Sequence, residues 1–293
     1  MAGVKAAAKR ALRYLNITIP IEVAGRQFRA PLVRGLGFGN RRDAEPWMTD
    51  VLRRLLSLSP GTAFLDVGVN IGQTLFKVKS LEPDRPYVGF EPNPFCVQYA
   101  NDVIRINGFR DCEILPVGLA DQAAVCQFFA IDDTDSAGSI VEGLRPGQVI
   151  GRKQYVPVFP YETVAHLLPP RIGIVKIDVE GAELEVLRGM DSLLRAQQPW
   201  ITCEVLHSHT AEQIPSQRER NRTLMDFMDE RGYAAYQIVK AGPTAGLRPV
   251  EAFSEGVYGP ASQAVCDYLL APRKTARETL AAFDSRVEEA STA

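Results

Sequence analysis

The fold of this chain is decided by the segment Phe64-Leu65-Asp66-Val67-Gly68-Val69-Asn70-Ile71-Gly72-Gln73-Thr74. Its first residues form an apolar run that contains one acid, Asp66, and follows the turn signal Pro60-Gly61, which predicts a buried β-strand. Two glycines come next, and a helical pattern follows them. A strand, a glycine turn and a helix N-terminus together present backbone N–H groups to a ligand. Gly68 and Gly72 stand where a Cβ would block the ligand or the turn.

The glycine spacing bears on the identity of that ligand. A nicotinamide dinucleotide fingerprint has three glycines, in the pattern G-x-G-x-x-G, whereas here only Gly68 and Gly72 follow Asp66. The turn also has no Arg or Lys to meet a pyrophosphate. An acid at the mouth of the turn repels phosphate and attracts a sulfonium or ammonium group. The pattern therefore favours S-adenosylmethionine, and the alternative is a glycine loop that binds no ligand.

A second acid follows at the distance expected of a nucleoside-binding fold. The short apolar run Tyr87 to Phe90 ends at Glu91, and prolines then stop the strand. In doubly wound folds an acid about 20 residues beyond the glycine turn holds the ribose hydroxyls. We therefore expect Glu91 to bind ribose, and the alternative is an exposed acid at a strand end.

Composition limits the function in only a few ways. The chain has 293 residues, 46% of them hydrophobic, which suffices for a large α/β domain with a buried sheet. The formal net charge of −2 predicts no general attraction to nucleic acid, so we expect no nucleic-acid partner. No apolar run is long enough to span a membrane. Five scattered cysteines predict a reducing, cytoplasmic location, and the oligomeric state stays open.

The pattern of elements predicts a small cap and a larger domain. Residues 1–59 predict a basic N-terminal helix, a hairpin over Ile17 to Arg29 and a helix over Pro46 to Leu58. The basic helix either docks on a membrane surface or presents a solvated face. Residues 60–293 alternate strands with helices, which predicts a largely parallel, Rossmann-like α/β sheet. The predicted strands are Ala63–Val67, Tyr87–Glu91, Glu113–Val117, Ile172–Ile177, Trp200–Leu206, Tyr236–Lys240 and Cys266–Ala271.

An insertion at about residues 122–160 interrupts this alternation. Val125 to Ile131 and Tyr155 to Phe159 predict a β-hairpin. The acids between these strands lack the spacing of a calcium loop, so we expect a solvated loop there.

Polar residues lie at the end of the predicted fourth strand. Lys176 and Asp178 are two residues apart and therefore share a face of the strand, and Glu180 follows them. This strand should emerge beside the first, where the strand order reverses and ligands bind. Polar groups at this place are costly without partners. We expect a functional role, and the alternative is a Lys–Asp ion pair that closes the sheet edge.

The predicted fifth strand contains one carboxylate, Glu204, and ends at a pair of histidines, His207 and His209. A carboxylate is rarely buried in a strand unless it has a partner or a function. The histidines could bind a metal together with Asp178 and Glu204, but His-x-His alone is a weak signal. A divalent metal is therefore a hypothesis only.

Four motifs in combination resemble one protein family. They are Asp66–Gln73 (DVGVNIGQ), Glu91–Pro94 (EPNP), Gly118–Asp121 (GLAD) and Lys176–Glu183 (KIDVEGAE). Together they are similar to the FkbM family of S-adenosylmethionine-dependent methyltransferases. The resemblance implies a class I methyltransferase fold, with a seven-stranded, mostly parallel sheet whose last strand is antiparallel and with helices on both faces. It also implies O-methylation of a small-molecule or glycan hydroxyl, on a sugar, glycan or natural product.

The resemblance also implies roles for individual residues. Asp66, Gly68, Asn70 and Gly72 would surround the methionine part of the donor, and Glu91 would hold the ribose. Asp178 and Glu180 would face the donor methyl group and the acceptor. The full set of candidate cofactor-binding residues is Asp66, Gly68, Asn70, Gly72, Gln73, Glu91, Pro92, Asp178 and Glu180.

Parts of the chain depart from the family pattern. Val69 stands where alanine is usual, and Glu162 stands where a Leu-Asp pair is usual. Residues 1–60 and the region after Leu206 do not carry the pattern, and we expect acceptor specificity to lie there.

The expected reaction is an in-line transfer of a methyl group from sulfonium to an acceptor oxygen. Positioning of the two reactants can supply about 7–11 kcal/mol, and a general base adds about 10²–10⁴-fold. The candidate catalytic residues are Asp178, Glu204, His207 and Lys176. Asp178 ranks first by predicted position, although histidine has the most suitable ordinary pKa. A metal held by Asp178 and Glu204 would instead polarise the hydroxyl.

Two other classes of function share this architecture. A nicotinamide oxidoreductase would bind NAD in place of S-adenosylhomocysteine, but its glycine spacing is not met. A non-catalytic S-adenosylmethionine-binding protein would keep the donor pocket and show no turnover of an acceptor.

Overall fold

The N-terminal part of the chain is a β-hairpin followed by a helix. The computed structural model describes residues 16–33, 36–130, 138–141, 143–144 and 152–284. Strands β1 (Asn16–Val23) and β2 (Arg26–Val33) pair antiparallel around Ala24 and Gly25, which both have positive φ, as tight hairpin turns require. Helix α1 (Pro46–Leu58) has proline in its first turn and buries one apolar face. The predicted basic helix at residues 1–15 lies outside the described residues.

The next segment alternates strands with helices. It contains β3 (Ala63–Val67), α2 (Gln73–Leu81), β4 (Tyr87–Phe90), α3 (Pro94–Asn107) and β5 (Cys112–Leu115). Both β3 and β4 are buried along their whole length and pair in parallel, as strands covered on both faces do. Asn93 caps α3 by accepting the N–H of Phe95, and Gly108 ends the helix in the left-handed conformation.

The insertion forms a small sheet of its own. In it, β7 (Ala124–Ala130) runs antiparallel to β8 (Arg152–Phe159), and β6 (Gly118–Leu119) runs parallel to β8. This antiparallel pair lies where the sequence predicts a hairpin. A short helix, α4 (Tyr161–Val164), follows it. Most of the acidic segment between the two long strands lies outside the described residues.

The chain then returns to the central sheet. It forms β9 (Ile172–Ile177), α5 (Glu183–Gly189), α6 (Asp191–Ala196), β10 (Trp200–Glu204) and α7 (Ile214–Asp229). Polar and charged residues fill the segment from Thr210 to Arg222, yet α7 begins within it, at Ile214. Thr210 and Gln213 form a capping box just before it, and Pro215 occupies its first turn.

The last elements are β11 (Tyr233–Ala241), β12 (Thr244–Val250), β13 (Asp267–Pro272) and α8 (Ala276–Asp284). The sequence predicted seven strands, but the central sheet in the described ranges has eight, because β12 pairs with β11. Arg248 and Pro249 interrupt the alternation of apolar and polar residues in β12, so the sequence pattern did not predict this strand. An edge strand tolerates proline, and β12 is an edge strand.

The central sheet is mixed, and its strand order reverses at one point. Across the sheet the order is β12-β11-β13-β10-β9-β3-β4-β5, and β13 runs antiparallel to both of its neighbours. The strands β10, β9, β3, β4 and β5 are parallel to one another. The strand order reverses between β9 and β3, and ligands of open α/β sheets bind beyond the carboxyl ends of strands at such a point.

Apolar layers cover both faces of the sheet. Leu65 and Val175 face a layer that contains α5, α6 and α7, whereas Phe64 and Ile174 face a layer that contains α1, α2 and α8. Because strand side chains alternate, Asp66 and Lys176 lie on the second face, which we call the α1/α2 face. None of the helices in the described part of the chain is both long and apolar enough to cross a membrane.

Gly189 allows α5 to lie against the segment after β6. A Cβ built on Gly189 would lie 2.1 Å from the carbonyl oxygen of Ala120. Gly189 is the last residue of α5, and this close approach leaves no room for a side chain there. We predict that Gly189→Ala lowers the free energy of unfolding by roughly 1–3 kcal/mol, because the backbone of Ala120 must move. Urea titration followed by circular dichroism measures this change.

A matched control is available in β12. A Cβ built on Gly246 meets nothing within 4 Å, and its φ is not in the left-handed region. Gly246→Ala should therefore leave stability unchanged or slightly raised. Equal unfolding midpoints for the two variants would contradict the close approach at Gly189.

Candidate active site

A glycine turn joins β3 to α2 at the carboxyl edge of the sheet. Gly68 has a φ of 91°, and a Cβ built on it would lie 1.9 Å from the carbonyl oxygen of Asp178. Only glycine therefore lets the chain after β3 approach the chain after β9 so closely. A Cβ on Gly72 meets nothing closer than 3.8 Å, so it is the φ of 72° that favours glycine there. Asn70, with a φ of 52°, is a residue that tolerates the same left-handed region.

The carboxylate of Glu91 connects the end of β4 to this turn. The residue is 5% exposed, and it accepts the N–H groups of Asn70 at 2.7 Å and Asn93 at 2.8 Å. Each carboxylate oxygen has two lone pairs, so both oxygens keep an acceptor position for a diol. Burial raises the pKa of Glu91 to about 7, although the two backbone donors oppose this shift. With this pKa, Glu91 is partly ionised at neutral pH, and its ionised form can accept hydrogen bonds from the hydroxyls of a ligand.

A cavity of about 830 Å³, part of it open to solvent, lies beside Glu91, and we call it the first cavity. Its polar lining residues are Asn70, Glu91, Asn93, Ser139, Asp178, Glu180 and Glu204. Its apolar lining residues include Val67, Phe90, Leu119, Phe128, Ile140, Val158, Val179 and Val186. Apolar walls with a few convergent polar groups are typical of small-molecule sites, and this combination suits a nucleoside.

A second cavity, of about 630 Å³ with part of it open to solvent, lies on the α1/α2 face of the sheet. It shares the residues Gly68, Asn70, Asp178 and Glu204 with the first cavity. The other residues that line it include Glu45, Met48, Gln73, Thr74, Lys77, Lys176, Thr202, Ile238 and Asp267. The two cavities therefore meet where β3, β9 and β10 end.

Lys176 connects the groups beneath this meeting point. Its ammonium lies 3.3 Å from Asp66 and 3.2 Å from Asp178, and it donates to the carbonyl oxygen of Gly68 at 2.8 Å. Burial alone would lower the pKa of Lys176, but the two carboxylates raise it above its ordinary value. Lys176 is therefore a permanent cation here and not a base. The Lys–Asp ion pair that the sequence offered as an alternative is present.

The sequence argument required Asp66 to lie at the mouth of the glycine turn. In the structure Asp66 lies below the turn. The residue has no exposed surface and lines neither cavity. Its carboxylate accepts the hydroxyl of Tyr87 and pairs with Lys176. Strand alternation explains the error, because Asp66 points to the α1/α2 face beneath the turn. The acids that line the cavities come instead from other strand ends.

Glu204 and Asp178 stand together where the cavities meet. Burial raises the pKa of Glu204, and the nearby carboxylates of Asp178 and Asp267 raise it further, so Glu204 keeps its proton at neutral pH. Both side chains line both cavities, and the thiol of Cys266 donates to Oε1 of Glu204 at 3.3 Å. Asp178 lies 3.2 Å from the ammonium of Lys176 and lines the place where the two cavities meet.

The remaining predicted site residues are distributed between the cavities. Pro92 and Glu180 line the first cavity, Gln73 lines the second, and Gly72 lines neither.

His207 does not reach either cavity. It is 7% exposed, and its Nε2 atom is hydrogen-bonded to the hydroxyl of Ser254 at 2.9 Å. Within the ranges that the structure covers, no group of three or more His, Cys, Asp or Glu residues is arranged to hold a metal ion. His207 and His209 therefore do not join Asp178 and Glu204 in such a group.

Several residues of the two cavities carry no signal in the sequence. Phe128, Ser139 and Ile140 come from the insertion, and Ser139 is fixed by donating to the carbonyl of Glu180 at 2.6 Å. Glu45 and Asp267 reach the second cavity from opposite ends of the chain. Only long-range packing brings these segments together, so no local pattern could place them.

Comparisons with solved structures give distant similarities. The FkbM methyltransferase from Methylobacillus flagellatus KT is 13% identical with a TM-score of 0.43, over 71% of this chain and 43% of that chain. The tRNA (uracil-54, C5)-methyltransferase from Pyrococcus abyssi, solved with S-adenosyl-L-homocysteine, is 13% identical with a TM-score of 0.40, over 86% and 43% of the chains. Fibrillarin from Aeropyrum pernix, with natively bound S-adenosyl-L-methionine, is 12% identical with a TM-score of 0.45, over 88% and 83%. This chain thus spans less than half of the length of the first two proteins.

A comparison with curated proteins found no match. The comparison with protein families gave a match to the family described as "Methyltransferase FkbM domain" over residues 66–235, which is more than half of the chain. The matched range begins at Asp66, before the glycine turn, and includes Glu91, Asp178 and Glu204. The chain belongs to the FkbM methyltransferase family, whose methyl donor is S-adenosylmethionine.

Proposed function

We propose that this protein transfers the methyl group of S-adenosylmethionine to a hydroxyl of a sugar, glycan or natural product. The observation that supports the proposal is that two cavities meet at Asp178 and Glu204. One cavity has the apolar walls and the buried carboxylate that suit a nucleoside. The other is lined mainly by polar side chains and suits a polar acceptor.

The residues of the first cavity fit the donor. In the proposal, Glu91 accepts the two ribose hydroxyls, because both of its oxygens keep a free acceptor position. Gly68 and Asn70 hold the methionine part, since the turn has no Cβ at Gly68 to obstruct a ligand. The donor supplies a methyl carbon bonded to a positively charged sulfur, which the carboxylates around the meeting point attract.

Asp178 is the proposed general base. The acceptor oxygen forms its bond to the methyl carbon while the carbon–sulfur bond breaks and its electron pair stays on sulfur. The hydroxyl proton passes to the carboxylate of Asp178, which is half-buried and lines both cavities. Lys176 acts as a positioning residue, because its ion pair at 3.2 Å fixes the carboxylate of Asp178, and Glu204 lines both cavities beside it. The main contribution of the protein is orientation of the two reactants.

Three further expectations belong to the same proposal. The acceptor is not a nucleic acid, which the net charge of −2 supports. The protein works in the cytoplasm, which the five scattered cysteines support. Residues 1–59 form a cap on the transferase domain at 60–293, and the position of Glu45 in the second cavity supports this division.

A panel of glycans and polyols tests the reaction itself. We expect at least one hydroxyl compound to stimulate release of S-adenosylhomocysteine, with the methyl group found on oxygen by NMR. A product methylated only on nitrogen or carbon would contradict O-methylation. A chain that binds S-adenosylhomocysteine but turns over no acceptor would support the non-catalytic alternative.

The raised pKa of Glu91 makes donor binding depend on pH. Glu91 must be ionised to accept both ribose hydroxyls, and its pKa is about 7 in the free protein. Affinity for S-adenosylhomocysteine should therefore fall as pH decreases, by about tenfold between pH 8 and pH 6. Isothermal titration calorimetry across this range measures the effect. Glu91→Gln should bind weakly at every pH, with a flat profile.

A second carboxyl titrates in the same range and provides the control. Burial raises the pKa of Glu183 to about 7, but Glu183 accepts the N–H of Gly181 and lines neither cavity. Glu183→Gln should keep the pH dependence of donor binding. If the pH dependence disappears in Glu183→Gln and persists in Glu91→Gln, the assignment of Glu91 is wrong.

Replacement of the proposed base separates chemistry from donor binding. Asp178→Asn keeps the size of the side chain but removes the proton acceptor, so kcat should fall by about 10²–10⁴-fold. The Kd for S-adenosylhomocysteine should change by less than about threefold, since the variant keeps hydrogen-bonding capacity. His207→Gln should keep nearly full kcat, because His207 lines neither cavity. Full activity of Asp178→Asn would contradict the assignment of Asp178 as the base. Loss of activity in His207→Gln would favour His207 as the base instead.

A further inference from the structure

The second cavity carries more negative than positive groups. Three carboxylates, those of Glu45, Asp178 and Asp267, line it beside two ammonium groups, those of Lys77 and Lys176. The fourth acid, Glu204, keeps its proton. Asp267 is 8% exposed, whereas Glu45 stands at the solvent-exposed rim. Burial raises the pKa of Asp267, and the field of Asp178 adds to this, although Lys240 opposes both. The side chains of the cavity thus resist further negative charge and favour a cation.

The lysines around the cavity are already engaged. Lys77 donates to Asp43 at 2.6 Å and to the carbonyl of Ala44, and Lys176 is held by its own two carboxylates. Lys240 lies 2.5 Å from Asp267 and also stacks over the ring of Trp47 at 4.5 Å. These contacts point each ammonium at a protein group. They offer no spare cation to an anionic ligand in this cavity.

An unpartnered hydroxyl points to a ligand at the same place. Thr202 lines the second cavity and is 2% exposed, and among the described residues its Oγ1 atom has no hydrogen-bond partner. It lies on β10 two residues before Glu204, so both side chains share the α1/α2 face. A buried hydroxyl without a partner costs about 1–3 kcal/mol. A polar group of a bound molecule would remove this cost.

We infer that the second cavity is the acceptor site and that it selects an acceptor with a protonated amine beside the methylated hydroxyl, as in an amino sugar. The carboxylates of Glu45 and Asp267 bind the ammonium, and Thr202 binds a neighbouring hydroxyl. A protonated amine has no free electron pair, so the methyl group still goes to oxygen and the hydroxyl proton to Asp178. This inference rests on the proposed function and specifies its substrate class.

A matched set of three sugars tests the charge preference. Glucosamine, glucose and N-acetylglucosamine share a ring, and among them only glucosamine carries a cation. Their binding to protein saturated with S-adenosylhomocysteine is measured by ligand-observed NMR at 0.15 M salt, where long-range attraction is screened. We expect glucosamine to bind about tenfold more tightly than either neutral sugar. Equal binding of the three sugars, or no detectable binding of glucosamine, overturns the inference.

Three variants in the cavity and one control outside it locate the preference. Glu45→Gln and Asp267→Asn should each reduce the preference for glucosamine several-fold, whereas Glu113→Gln, an exposed acid on β5 outside both cavities, should keep it. Thr202→Val should weaken glucosamine binding while thermal stability is unchanged or higher, since it removes an unpartnered buried group. A preference that survives both Glu45→Gln and Asp267→Asn overturns the inference, as does normal glucosamine binding by Thr202→Val.

Donor binding distinguishes this inference from the proposed function. The Kd for S-adenosylhomocysteine is measured for the native protein and for Glu45→Gln and Asp267→Asn. If the native protein does not bind S-adenosylhomocysteine, the proposed function fails. If it binds but the two variants lose donor affinity, the second cavity holds the α-ammonium of the donor, and only the assignment of an amine-bearing acceptor fails.

Discussion

The ammonium of Lys176 is the interaction on which the site depends. It joins Asp66 at the end of β3, Asp178 after β9 and the carbonyl of Gly68 in the turn. Two parallel strands are thereby fixed at the point where the order of the sheet reverses, and Gly68 permits the close contact. A buried ammonium with two carboxylates and a carbonyl has good partners on all sides, which offsets the cost of its desolvation. The geometry of both cavities follows from this contact.

The electrostatics of the site result from an unequal number of buried charges. Carboxyl groups outnumber ammonium groups around the place where the cavities meet, so one carboxyl keeps a proton, and this is Glu204. A sulfonium compound brings the missing positive charge. The same imbalance disfavours the binding of anions such as pyrophosphate.

Local sequence patterns predicted much of the sheet and part of the site. The pattern of Ile172 to Ile177 and the glycine turn are local signals. The bounds of β9 are as predicted, and Gly68 and Glu91 line the first cavity, while their roles towards the donor stay predictions. Asp66 was expected at the mouth of the turn but lies beneath it, because a glycine motif does not show which way the preceding side chain points. The strand β10 ends at Glu204, and the chain beyond it carries His207 towards Ser254. Glu45, Thr202 and Asp267 converge only through tertiary packing, which no local pattern reports.

The eighth strand also affects how the molecule behaves towards its own copies. Without β12, the outermost strand of the sheet would be β11, whose nine residues would offer a long row of unpaired backbone groups. Such a row is a template for aggregation by strand addition. β12 covers it, and β12 itself contains Pro249, which has no N–H to give, and the cationic Arg248. The irregular sequence that concealed this strand thus protects the protein from intermolecular β-sheet growth.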